Sequence, residues 1–256
     1  MTDEADIEFT RNGHVAHLRW SRPPHNHVDP DFMRRLADHL DAFDEDPNCR
    51  VVVLSAEGKT FCAGADFRAT GTSAEIDPAP FYEHAMRLFR TRKPMVAAVH
   101  GAAIGAGLGL ALVADFRVAG PSTRLSANFV RLGFHPGFGL SETLPRLIGT
   151  QRASTLLYTG RRIDGTVGLA LGVIDELVNS DAEVLVRAIA LAHELASTAP
   201  VALQSTRATL RQGLADAVFA ANQRELQIQR EQFKMADFRE GIAATAERRE
   251  PVFTGT

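Results

Sequence analysis

The sequence has only two cysteines in 256 residues, Cys49 and Cys62. That excludes a disulfide framework and fits a reducing compartment. It has no CxxC pair and no HExxH stretch, so no structural or catalytic metal centre is expected. His25 and His27, two apart in a proline-rich loop, make a weak ligand pair. No long apolar run is present either. The longest, around residues 102–114, is interrupted by glycines and too short to cross a bilayer. The opening MTDEADIEF is acidic and has no apolar centre, unlike a signal peptide. A cytoplasmic protein with no membrane partner is expected. Excess charge of either sign is also missing: 28 Lys and Arg face 31 Asp and Glu, a net of −3. That balance argues against a nucleic-acid-binding face and against an acidic tail.

What the chain does have is glycine in one place. Residues 96–115 read VAAVHGAAIGAGLGLALVAD, an apolar run, then Gly101, Gly105, Gly107 and Gly109, then apolar residues at helical spacing. A strand that breaks into glycines and re-forms as a helix brings backbone N–H groups toward something negative. A dinucleotide phosphate fails the spacing test. The G-x-G-x-x-G pattern starting at Gly105 puts its third glycine at Leu110. Asp115 comes too early and Glu142 too late for the ribose-binding acid.

The elements around this run alternate. Residues 14–20 read as a strand, and Asp29-Pro30 is a good helix start, an N-cap acid followed by proline. Phe32, Leu36, Leu40 and Phe43 then follow at near-helical spacing. VVVLSA (51–56) is a buried-strand run, 70–80 is loop chemistry, and a helix over 81–92 precedes a strand over 95–99. A helix to about 114 and the strand FRVAG complete a pattern that predicts a mainly parallel sheet with helices outside. Beyond residue 150 the strand signal fades, and helices are expected over 181–197, 200–213, 216–234 and 237–249. The division expected is a core over 1–199 carrying the site and a helical C-terminal part over 200–256, packed on its own core or on a neighbouring subunit.

Two stretches share an unusual composition. FCAGADF (61–67) and AIGAGLG (103–109) each follow an expected strand and replace side chains with Ala and Gly. Small residues there permit tight packing, or let a ligand approach the backbone. One N–H from each turn converging on one oxygen would form an oxyanion hole. Spacing alone leaves both readings open.

FCAGADF, VAAVHGAAIGAGLGLALVADFRVAG and RLGFHPGFGLSETLPRLIG resemble three consecutive blocks of the crotonase (enoyl-CoA hydratase/isomerase) superfamily. RASTLLYTGRRI, LGVIDELV and the closing EGIAATAERREPVF extend the resemblance over about residues 7–253. It implies an α/β fold with a crotonase-like ββα spiral core and a helical C-terminal part that trimerises, giving a homotrimer or a hexamer built as a dimer of trimers. It implies an acyl-CoA thioester as ligand, with coenzyme A entering as part of the substrate and no other cofactor. By match to the motif, the two oxyanion donors are the backbone N–H groups of Ala65 and Ala106, at the start of a helix whose dipole favours the enolate. Ala63 and Asp66 flank the first donor, and Asp66 is expected to hold that turn by accepting backbone N–H bonds. The basic residues that match coenzyme A phosphate ligands are Lys59, Arg68 and Arg248. Asn26 and Val28 match the element that lies near the adenine.

The chain departs from the family where the chemistry is done. The two glutamates that position water in the hydratases fall on Gly109 and Phe129, and the isomerase acid falls on Gly137. Neither residue type can transfer a proton, and Phe129 makes the pocket drier and narrower. His135 is the replacement base suggested by its segment, since a neutral imidazole can act near pH 7. Asn128 and Arg131 flank Phe129 and reach a polar acyl group, or Arg131 forms a structural ion pair. Glu142 suits a helix start, Cys62 reads as a buried filler with no basic partner, and His84 has no assignable direction. The implied function is an acyl-CoA enzyme of the lyase, isomerase or hydrolase type that needs the oxyanion hole but not the glutamates, by decarboxylation or by carbon–carbon or thioester cleavage. The competing readings are a non-catalytic acyl-CoA binder or carrier and a structural trimer with a vestigial pocket.

Overall fold

The structure, a computed structural model, describes residues 6–66 and 77–256. β1 (Ile7–Asn12) and β2 (Val15–Trp20) form an antiparallel hairpin, and Gly13 at φ +59 supplies the positive φ of its two-residue loop. The chain leaves β2 through α1 (Pro30–Glu45), whose N-cap is Asp29. Its carboxylate accepts the Phe32 N–H at 2.8 Å, and Phe32, Leu36, Leu40 and Phe43 are buried, as the spacing predicts.

β3 (Val51–Ala56), β4 (Met95–Val99), β6 (Phe116–Ala119) and β9 (Glu176–Leu177) then add in parallel, giving the order β1-β2-β3-β4-β6-β9. Period-two alternation divides the sheet's side chains between two cores. Val15, Val51, Val53, Val96, Ala98 and Val118 face α7 (Asp181–Ala196), meeting its Val184, Ala188 and Ala192. Their neighbours Ala16, Leu18, Val52, Leu54, Ala97 and Val99 face the opposite way, into the larger core. Both faces being covered explains why β3 and β4 read as continuous apolar runs.

β3, β4 and β6 are each followed by a short piece of a second layer. β5 (Ala102–Ile104) follows β4, and β7 (Arg124–Ser126) follows β6 and pairs with both β5 and β8 (Ile163–Asp164). After β3, Cys62 bridges to Ala103 in the same manner. The bend from β4 into β5 occurs at Gly101, φ +58, where a Cβ would lie 1.9 Å from the Lys59 carbonyl oxygen. Strand, short strand and helix α3 (Ala106–Val113) make the expected ββα unit.

α2 covers Ala79–Arg87 and continues as a 3₁₀ turn to Arg90, slightly earlier than the 81–92 expected. α4 (Leu140–Ile148), α5 (Thr150–Thr159) and α6 (Gly165–Leu171) occupy the region where the strand signal fades. α8 (Pro200–Leu210), α9 (Leu214–Gln232) and α10 (Ala236–Glu247) follow. α9 and α10 fold onto this chain's own core: Val218, Leu226, Phe233 and Phe238 join the larger cluster. The loop expected at 70–80 lies largely outside the described residues. Among the described residues, no single helix is long and apolar enough to cross a membrane.

α8 is tied down by a buried ion cluster. The Asp115 carboxylate accepts Arg207 Nε at 2.8 Å, Arg211 Nη1 at 3.0 Å and the Met95 N–H at 2.8 Å. Replacing it by Ala leaves the buried Arg207 and the partly buried Arg211 guanidinium groups without their carboxylate, so Asp115→Ala is expected to cost about 3–5 kcal/mol of stability. Urea denaturation measures this, and a loss below about 1 kcal/mol, the range of an exposed pair, would contradict it.

Candidate active site

The two small-residue turns are packed against each other. Cys62 N–H donates to the Ala102 carbonyl at 2.9 Å, and Ile104 N–H donates to the Cys62 carbonyl at 3.0 Å. A Cβ on Gly107 would lie 2.1 Å from Cys62 O, and one on Gly64 would lie 3.0 Å from Ile104 O. Glycine at these points is what lets the turns touch. Trp20, fully buried, fixes the first turn by donating its Nε1–H to the Phe61 carbonyl at 3.0 Å.

This contact leaves two backbone donors unspent. Val28 N–H donates to Gly64 O and Asp66 N–H to Val28 O, so the intervening Ala65 N–H points away from Val28. Ala106 is the first residue of α3, whose opening N–H groups have no intrahelical acceptor. Among the described residues, neither the Ala65 nor the Ala106 N–H donates to a protein group. Gly105, φ +56, turns the chain into α3 and donates to the Ser126 carbonyl at 2.8 Å. The Cys62 thiol lies in this contact, and burial pushes its pKa up to about 12, so it is not a thiolate nucleophile.

The positions read as lacking carboxylates are filled by other side chains. A Cβ on Gly109 would lie 2.4–2.7 Å from Cγ, Cδ1 and Cβ of Phe138, a fully buried residue with φ +63. A Cβ on Gly137 would lie 1.9 Å from the Tyr82 hydroxyl and 2.5 Å from Gln229 Nε2. Phe129 is buried beside the second turn, its Cζ being 3.8 Å from where a Gly105 Cβ would stand. It packs edge-on against Phe134, while Phe138 packs against Phe81 and Phe89. Burial, with the Glu225 charge added, raises the Tyr82 pKa, so the phenol stays neutral and serves as a hydrogen-bonding group rather than a base.

The remaining candidates are dispersed. Asn26 is buried at φ +53, and its side chain is committed to protein: it accepts Arg22 N–H and donates to the carbonyls of Glu57 and Thr60. Ala63 N–H donates to His25 O, which ties the same loop to the first turn. Asp66 is half-buried next to Ala65. Lys59 and Arg248 are exposed, Arg248 at the left-handed end of α10 with φ +57. Arg68 lies outside the described residues.

Arg131 is turned toward the end of α5, donating Nε–H to the Thr159 carbonyl at 2.9 Å, with Glu250 3.9 Å from its Nη1. Glu142 sits in the first turn of α4, 4.0 Å from Arg146. His135 Nδ1 is 2.7 Å from the Pro136 carbonyl, an acceptor that requires the proton on Nδ1. His135 lines a cleft of about 620 Å³ with Val130, Phe134, Leu157, Tyr158 and Phe253, and no residue of the two turns lines that cleft. Among the described residues, no three His, Cys, Asp or Glu side chains gather as a metal site.

Sequence reasoning overlooked Tyr82, Phe138, Glu225 and Gln229. The only cue was the pair of glycines around Phe138. Polar residues three and four apart on a helix look the same whether the face is buried or solvated.

The fold and the paired turns define a class. The family model described as enoyl-CoA hydratase/isomerase matches residues 10–256. A probable enoyl-CoA hydratase of Bacillus subtilis is 33% identical over 246 residues, covering 94% of this chain and 95% of its own. A putative enoyl-CoA hydratase of Thermus thermophilus is 34% identical over 253 residues, covering 94% and 98%. Among solved structures, an enoyl-CoA hydratase/isomerase from Pseudoalteromonas atlantica superposes with a TM-score of 0.88 at 30% identity, covering 97% of this chain and all of that one. The chain belongs to the enoyl-CoA hydratase/isomerase family of the crotonase superfamily.

Proposed function

We propose that the protein binds an acyl-CoA thioester with the carbonyl oxygen between the Ala65 and Ala106 N–H groups, and that it catalyses a reaction other than hydration. The observation that carries this reading is the filled space at Gly109 and Gly137. Where the family's proton-transferring carboxylates would stand, the Phe138 ring and the Tyr82 hydroxyl leave no room. Adding water needs one group to take a proton from water and another to deliver one to carbon. The oxyanion pair needs neither.

A reaction driven by that pair alone is the decarboxylation of a malonyl-type thioester. The Cα–carboxylate bond breaks, its electron pair forms the enolate, and the charge settles on the oxygen held by the two N–H groups. Carbon dioxide leaves without a base, and the enolate then takes a proton from solvent at Cα. The aromatic wall of Phe129 and Phe138 favours the step by giving the departing carboxylate poor solvation. Lys59, Arg68 and Arg248 are proposed to meet coenzyme A phosphates, whereas His135, in a cleft that neither turn lines, is not placed to act as a base on a thioester held between them.

The test is incubation with methylmalonyl-CoA, crotonyl-CoA and a long-chain acyl-CoA, read by mass spectrometry and thermal shift. Loss of the mass of CO₂ from the malonyl ester is expected. Rapid hydration of crotonyl-CoA would overturn the reading. Saturable stabilisation with no mass change in any ester would assign the chain to binding alone.

Assembly as a homotrimer, or a dimer of trimers, is part of the same proposal. It is supported by apolar side chains left at the surface: Tyr158 and Phe253, which line the His135 cleft, are 77% and 40% exposed, and Val252 next to Phe253 is 73% exposed. Light scattering should give three or six chain masses, and a monomer would contradict it.

A further inference from the structure

One buried ionisable group has no place in the chemistry above. Glu225, on α9, is fully buried and sits against the backbone that carries Phe138. Its Oε2 accepts the Gly139 N–H at 2.7 Å. Its Oε1 accepts the Ser141 N–H at 3.0 Å and the Ser141 hydroxyl at 2.5 Å. Asn222 Nδ2 adds a weaker contact at 3.3 Å. The carboxylate thus caps the start of α4 from a different helix.

The segment it grips is strained. Phe138 and Gly139 are successive left-handed residues, φ +63 and +69, a conformation that Phe seldom adopts. The surroundings must impose it, and the bonds to residues 139 and 141 are the polar part of that constraint. On the same buried face of α9, Gln229 Nε2 donates to the His135 carbonyl at 2.8 Å, which fixes the other end of the segment. Between these anchors the Phe138 ring is held in the space beside Gly109.

We propose that Glu225 is a positioning residue that sets acyl-group selectivity: it locks the Phe138 turn so that the ring walls the pocket next to α3 and excludes bulky acyl groups. This rests on the reading of the site as an acyl-CoA pocket. It makes the C-terminal helical part a determinant of the pocket's shape. Glu225→Gln is nearly isosteric but replaces one acceptor oxygen with an NH₂ that faces N–H donors, so the grip is lost while the volume is kept.

Acetyl-CoA and benzoyl-CoA affinities are to be measured by calorimetry for the wild type, Glu225→Gln, Phe138→Ala and the double variant. Glu225→Gln should raise the benzoyl-to-acetyl affinity ratio about tenfold, the lower range of what a small change in an apolar pocket does. Phe138→Ala should move the ratio in the same direction, and the double variant should match Phe138→Ala alone. Independently of any ligand, a 4-fluorophenylalanine label at position 138 should give one sharp fluorine resonance in the wild type and a broad or multiple one in Glu225→Gln. An unchanged ratio, or an unchanged resonance with only a lower melting temperature, would overturn the proposal. If the wild type binds neither ester, the acyl-CoA reading falls and the selectivity claim falls with it. The fluorine spectrum then still decides whether Glu225 positions the ring.

Discussion

Gly107→Ala is expected to reduce turnover by about 10²–10³-fold, the worth of one oxyanion donor. The added methyl group would lie 2.1 Å from Cys62 O, 2.8 Å from Cys62 C and 2.9 Å from Cys62 Cβ. Two of these three atoms are backbone, held by hydrogen bonds to Ala102 and Ile104, so they cannot swing aside as a side-chain tip would. The first turn of α3 must therefore move away from residues 62–65, which separates the Ala65 and Ala106 N–H groups. The accompanying loss of stability should be about 1–3 kcal/mol, the usual cost of overpacking. Steady-state kinetics beside thermal denaturation separates the two effects. Turnover within a factor of two of the wild type would show that the turns do not act as a pair.

Gly109→Glu is expected to destabilise the protein severely and to yield no hydratase. The new side chain would start 2.4 Å from the Phe138 ring, and overpacking there costs about 1–3 kcal/mol before the carboxylate is considered. A charge buried without a partner adds several kcal/mol more. Pairing it with Phe138→Gly should recover much of the loss, because glycine removes the ring and suits φ +63. Hydration should remain absent in that double variant if, as proposed, Phe129 stands at the position of the second carboxylate. Thermal melts and a crotonyl-CoA assay check both statements. A single Gly109→Glu variant as stable as the wild type would show that the space beside α3 is open.

Much of this fold is legible in residue patterns, and the reasons are local. Asp29-Pro30 starts a helix because an acid and a proline each satisfy a separate requirement of a helix N-terminus. The runs at 51–56 and 95–99 read as strands because a sheet covered on both faces takes apolar residues at every position. The second layer was not legible: β5, β7 and β8 have three, three and two residues, too few to show a period.

The candidate site divides along the same line. Small residues at 63–65 and 105–107 announce a close approach, since only they allow two backbones to touch. What fills the gaps at 109 and 137 was hidden, because Tyr82 and Gln229 reach residue 137 across 55 and 92 positions of chain respectively. No local signal records such a meeting. Glycine at 109 and 137 is read directly from the sequence, whereas the occupied space beside each of them required three dimensions.

The most direct measurement is the infrared carbonyl stretch of a ¹³C-labelled acyl-CoA thioester bound to the protein. Two N–H donors on one oxygen weaken the C=O bond, so the band should shift below its free-solution frequency in the wild type and return toward it in Gly107→Ala. A thioester that binds saturably with its carbonyl band unshifted would contradict the account.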